Sequence, residues 1–217
     1  MNAIFIEPTQ KAKACVIWMH GLGANADDMA GLAKQLPLTT PVRHVALNAP
    51  VRPVTLNQGM PMPAWYDITG LSLTDREDKA GILDSEQRIL EAVNTQIAEG
   101  FSPEAIYLAG FSQGGAMALF TALRTKMALG GVLALSAYLP LAAECQVQLD
   151  RTTPMFIASG SLDEVVLPAW TAKSTAWLRE AGFNALTIKE YPMGHAVCIE
   201  EMQALTQWIE KQTGDKS

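Results

Sequence analysis

Ile106-Tyr107-Leu108-Ala109-Gly110-Phe111-Ser112-Gln113-Gly114-Gly115-Ala116-Met117-Ala118-Leu119-Phe120 is the stretch on which the reading of this chain turns. Its opening residues suit a buried strand, and the apolar run after Gly114 suits a buried helix. Between them, Gly110-Phe111-Ser112-Gln113-Gly114 fits G-x-S-x-G. Strand, tight turn and helix form the setting in which such a serine sits on a sharp elbow, its hydroxyl exposed above the end of a sheet. Glycine is needed two residues to either side because a Cβ there would crowd the neighbouring backbone. The helix that follows aims its N-terminus at the same point, which favours negative charge there.

Outward from the elbow, short apolar runs alternate with helical patterns. Ala14 to His20 is a continuous apolar run stopped by Gly21; His44 to Leu47, Val132 to Ser136 and Met155 to Ala158 read the same way, and Ala185 to Tyr191 alternates. Continuous runs of this length suit strands buried on both faces of a parallel sheet. Ile82, Ile89, Val93 and Ile97 repeat at helical spacing, as do Ile199, Met202, Leu205 and Ile209. The alternation predicts a single α/β domain over residues 1–217, with a mostly parallel central sheet and helices on both faces. Only the segment from about 50 to 80 breaks the rhythm. It is turn-rich yet carries Met60, Met62, Trp65 and Leu71, which predicts a loop covering the substrate.

A serine hydroxyl is a poor nucleophile near neutral pH and needs a base. In this arrangement the chain order is serine, acid, histidine. The chain has three histidines, and of these only His195 follows Ser112. The acids between them include Glu144, Asp150, Asp163, Glu164, Glu180 and Glu190. Sites in open α/β sheets form at the carboxyl ends of strands. Asp163 falls just beyond such an end, with its neighbour Glu164 as the one serious rival. The developing oxyanion needs two donors. The Gln113 N–H is one; the Leu22 N–H, in His20-Gly21-Leu22-Gly23, is the other candidate. On this reading Gln113 acts through its backbone alone and its side chain is dispensable for chemistry. His20 reads as structural, packed beneath the loop. Trp65, Leu71 and Val166 are the expected lining of an apolar acyl site.

These motifs together resemble the acyl-protein thioesterase and carboxylesterase family of α/β-hydrolases, also called the phospholipase/carboxylesterase family. The likeness spans about Val16 to Trp208. It rests on His20 to Gly23, on Met62-Pro63-Ala64-Trp65-Tyr66-Asp67, and on Gly110 to Gly115. It continues through Gly160-Ser161-Leu162-Asp163-Glu164-Val165-Val166 and Met193-Gly194-His195-Ala196-Val197. One departure is Ala24, where members often carry Asp. The resemblance implies an α/β-hydrolase fold, a Ser112-His195-Asp163 triad with Leu22 and Gln113 at the oxyanion hole, and an acyl-enzyme intermediate. It implies a carboxylesterase acting on small-molecule esters without cofactor or metal. Acyl-protein thioesterase or lysophospholipase activity is the alternative, and a homodimer is an analogy with the family. A non-catalytic binding protein on the same fold is a rival of another class, and a cysteine hydrolase using Cys198 is a weaker one.

Bulk properties narrow the partners. The formal net charge is −6 and no Lys/Arg cluster appears, which argues against nucleic acid. Cys15, Cys145 and Cys198 cannot all pair within one chain and lack metal-ligand spacing. They fit a reducing compartment. With no signal-like N-terminus and no long apolar span, a cytoplasmic protein without a transmembrane segment is the expectation.

Overall fold

The computed structural model describes residues 2–70 and 76–214. In chain order the elements are β1 (Ala3–Ile6), β2 (Ala14–Met19), α1 (Ala26–Lys34), β3 (Val42–Leu47), β4 (Val51–Pro53), β5 (Pro61–Pro63), α2 (Lys79–Ala98), β6 (Ile106–Phe111), α3 (Gln113–Arg124), β7 (Gly131–Leu135), β8 (Met155–Gly160), α4 (Pro168–Glu180), β9 (Leu186–Tyr191) and α5 (Ile199–Thr213). A seven-stranded sheet runs β1-β3-β2-β6-β7-β8-β9. Every pairing in it is parallel except β1 with β3. The expected mostly parallel sheet is therefore present, with an antiparallel strand at one edge.

The central strands β2, β6, β7 and β8 are apolar almost throughout because successive side chains serve two cores. In β2, Cys15, Ile17 and Met19 face one core, shared with Ile82, Ile89 and Val93 of α2, Met117 of α3 and Leu178 of α4. Ala14, Val16 and Trp18 face the other, with Met29 and Ala33 of α1 and Leu205, Trp208 and Ile209 of α5. Helices cover both faces, giving the layers of an α/β-hydrolase fold. The C-terminal stripe is partly corrected: Ile199 is largely exposed, and Trp208 takes an inward position instead.

Two helices begin at clear stop signals. Asn25 caps α1 by accepting from the Asp27 and Asp28 amides, while the Asp28 carboxylate accepts from the Asn25 N–H. Pro168 opens α4, where a missing N–H costs nothing. Among the described residues no helix is long and apolar enough to cross a membrane.

The segment between β3 and α2 is described over residues 48–70 and 76–78. Part of it is the hairpin β4–β5, and Ala64, Trp65 and Tyr66 are buried in the main core. Leu56 and Met60, by contrast, are exposed.

Glu201, in the first turn of α5, is fully buried. Burial pushes its carboxyl from an ordinary 4.5 up to about 7, against a smaller opposing effect of the Cys198 backbone. The folded state thus keeps a proton that the unfolded chain has lost, and stability falls as pH rises through that window. Glu201→Gln removes the titration. Its stability relative to the parent should grow from pH 4.5 to pH 7, by up to about 3 kcal/mol. Urea unfolding at several pH values measures this; a constant difference would show that folding does not shift the Glu201 carboxyl.

Candidate active site

The elbow forms because three glycines allow it. An added Cβ at Gly110 would stand 2.3 Å from the Gly114 carbonyl carbon, and one at Gly114 would stand 2.1 Å from the Met19 carbonyl oxygen. A Cβ at Gly115 would stand 2.7 Å from the Ala137 Cβ. Ser112 between them has φ +55° and ψ −121°, a conformation that costs a non-glycine residue on the order of 1–3 kcal/mol. Its N–H donates to the Leu135 carbonyl at 2.8 Å.

His195 Nε2 lies 3.0 Å from Ser112 Oγ, and its Nδ1 lies 2.8 Å from Asp163 Oδ2. A neutral imidazole protonated on Nδ1 donates to the carboxylate and leaves Nε2 to accept from the hydroxyl. The other carboxylate oxygen, Asp163 Oδ1, accepts from the Val165 and Val166 amides, each at 2.9 Å. The Asp163 side chain is wholly buried, while Glu164 next to it is exposed. The two loops are tied directly. Ser161 N–H donates to the Tyr191 carbonyl at 2.8 Å, and Leu162 N–H donates to the Met193 carbonyl at 3.0 Å. A Cβ at Gly160 would come within 2.3 Å of the Met193 carbonyl oxygen, so only glycine permits that approach.

The profile of the phospholipase/carboxylesterase family matches residues 1–213. The chain belongs to the phospholipase/carboxylesterase family. Acyl-protein thioesterase 1 of Neurospora crassa is 34% identical to this family member over 220 residues, covering 95% of this chain and 89% of the relative. Acyl-protein thioesterase 1 of Mycosarcoma maydis is 36% identical over 232 residues and covers 97% of both. The crystal structure of Zea mays acyl-protein thioesterase 2 superposes with a TM-score of 0.87 at 28% identity, covering 98% of this chain and 99% of that one. The chain is thus a hydrolase of the esterase and thioesterase type.

In this family member Ser112 and His195 open onto a groove of about 500 Å³, lined mainly by apolar groups: Leu22, Met29, Phe111, Val165 and Val197. The Phe111 ring lies 4.7 Å from the imidazole, centroid to centroid. Leu22 lines the groove; Trp65 and Val166 do not. Trp65 is fully buried, and its indole N–H donates to the His20 carbonyl at 2.9 Å. Val166 is buried against Ala116 and Tyr138, while its neighbour Val165 is the one turned outward to the groove. Both expectations fail for one reason: an apolar side chain beside a site fills the core whenever the backbone points it there. Leu71 lies outside the described residues. Met29, Phe111 and Val197 were not singled out from the sequence, where nothing separates them from core residues. Cys198 caps α5, its sulfur accepting from the Glu201 N–H at 3.4 Å.

Asp163→Asn should lower turnover by about 10⁴-fold, the loss that follows when the acid of a serine-protease triad is replaced, because the imidazole loses its carboxylate partner. Glu164→Gln should change turnover by less than about tenfold, a bound set far below that loss. Parallel measurements of kcat on one activated ester decide it. The reverse ranking would transfer the acid role to Glu164.

Proposed function

We propose that this chain is a serine acyl hydrolase that forms an acyl-enzyme on Ser112, with thioesters of acyl groups as its preferred substrates and simple carboxylic esters as accepted ones. The observation that carries the reading is the continuous hydrogen-bonded series from Ser112 Oγ through His195 to Asp163. The preference for thioesters departs from the carboxylesterase expected from the sequence. It is supported by the relatives above, which are named acyl-protein thioesterases.

The chemistry follows from the geometry. Ser112 Oγ attacks the acyl carbonyl as its proton passes to His195 Nε2. Asp163 holds the ring in register and stabilises the imidazolium without itself taking the proton. The tetrahedral oxyanion is met by the N–H groups of Leu22 and Gln113. Nε2–H then protonates the departing thiol or alcohol. Water, deprotonated by the same nitrogen, releases the acid and restores Ser112. To act as the base, His195 must start as the neutral imidazole. The apolar groove suits the acyl chain.

A fluorophosphonate probe should label the parent protein and leave Ser112→Ala unlabelled. Turnover in that variant should fall by about 10⁶-fold. A panel of acyl thioesters and p-nitrophenyl esters of graded chain length then ranks the substrates. Absence of labelling in the folded parent would favour a binding protein on a hydrolase fold. Higher kcat/KM for esters at every chain length would return the carboxylesterase reading.

A further inference from the structure

Gln113 carries more than a backbone donor. Its side chain is buried, and both ends of the carboxamide are engaged with one short segment. Oε1 accepts from the Trp65 N–H at 2.8 Å, and Nε2 donates to the Tyr66 carbonyl at 2.8 Å. That segment in turn holds the loop of His20 to Ala24. The Trp65 indole N–H donates to the His20 carbonyl at 2.9 Å. The Gly23 N–H donates to the Pro63 carbonyl at 2.8 Å. The Trp65 carbonyl is itself fixed by the Ser85 hydroxyl, and the His20 and Trp65 rings pack with centroids 5.5 Å apart.

We propose that the Gln113 carboxamide and the Trp65 indole are positioning groups for the oxyanion hole, setting the distance between its two amide donors. The proposal rests on the assignment of the Leu22 and Gln113 N–H groups made above. One donor belongs to Gln113 itself. The other sits on a loop whose neighbours on both sides, His20 and Gly23, are bonded to residues 63–65. The carboxamide joins those two bodies across 48 residues of sequence. An amide is suited to the task because it offers one donor and one acceptor in a plane, matching a backbone N–H and a backbone C=O at once. A hole tuned for a transition state loses function on small displacement: a shift of about 1 Å can cost 10²-fold in rate. The effect belongs in kcat, since the oxyanion exists only after attack.

The test uses three variants of the full chain. Gln113→Ala removes the carboxamide. Trp65→Phe removes the indole N–H and keeps an aromatic ring. Gln113→Glu replaces the amide by a carboxyl that mimics it only while protonated, since the ionised form presents no donor to the Tyr66 carbonyl. Each is measured on an activated ester well below its unfolding temperature, with active sites counted by fluorophosphonate labelling. Gln113→Ala should lose about 10²-fold in kcat, with KM within about threefold. Affinity for a trifluoroketone that forms the tetrahedral adduct should fall in parallel. Trp65→Phe should lose at least about tenfold in the same manner. The rate of Gln113→Glu relative to the parent should recover as pH is lowered, which packing loss alone would not produce. Should Gln113→Ala fail to fold, Trp65→Phe and Gln113→Glu decide the matter. Folded variants that keep kcat within about threefold, or a Gln113→Glu ratio flat with pH, would overturn the proposal. Failure of the parent to label would instead remove the assignment of the site beneath it.

Discussion

Gly114 brings its Cα against the backbone of Met19 and His20, so close that a Cβ would meet the Met19 carbonyl oxygen at 2.1 Å and the His20 carbonyl oxygen at 2.6 Å. That approach lets α3 start at the end of β6 while lying against the end of β2, the next strand in the sheet. It places the residue after Ser112 beside the loop that follows β2. The strain at Ser112 is tolerable because what surrounds it is rigid. Ala116 N–H donates to the Ser112 carbonyl at 3.0 Å, and every residue of α3 from Gln113 to Leu123 is buried. A relaxed elbow would require this helix to move, and a core packed to crystal density does not yield by small amounts.

A second close approach serves the other half of the site. Gly160 ends β8 against the Met193 and Gly194 carbonyls, so the loop that carries Asp163 and the loop that carries His195 form one body. Asp163 is held from the opposite side by two amides. Preorganisation of this kind matters because a carboxylate free to rotate would offer the imidazole several orientations, and only one aims Nε2 at Ser112.

The elbow was legible in the sequence because strand, turn and helix are local and each glycine has a local reason. The central parallel strands were legible because burial on two faces leaves an unbroken apolar run, and β9 at the edge by its alternation. Other features lacked such a signal. Strand β1 is an apolar run of only four residues, Ala3 to Ile6, half-buried at a sheet edge, and a run that short does not by itself mark a strand. Helix α1 did carry a signal, the Asn25 to Asp28 capping box, which the periodicity reading passed over. The groove side of the 162–166 turn could not be read at all. Val165 and Val166 are chemically identical, and only the turn fixed by Asp163 decides which faces the groove. The task of the Gln113 side chain depends on residues 48 and 47 positions away, beyond the reach of any local pattern.

The three histidines divide by their hydrogen bonds. His20 Nδ1–H donates to the Gly21 carbonyl at 2.7 Å and its Nε2 accepts from the Ala49 N–H at 3.0 Å. His44 Nδ1 accepts from the Trp18 indole N–H at 3.0 Å. Each uses one ring nitrogen as an acceptor, which only the neutral form can do. Burial acts in the same direction, lowering the pKa of His20 and pushing that of His44 down to about 4. His195 differs: its ring reaches the groove, and Asp163 is its carboxylate partner. Under the loop of residues 20–24, then, lies an imidazole that stays neutral where a catalytic histidine would exchange its proton. The bonds that fix the proposed oxyanion hole run through amide, indole and hydroxyl groups and this neutral imidazole, so the hole does not depend on a charge.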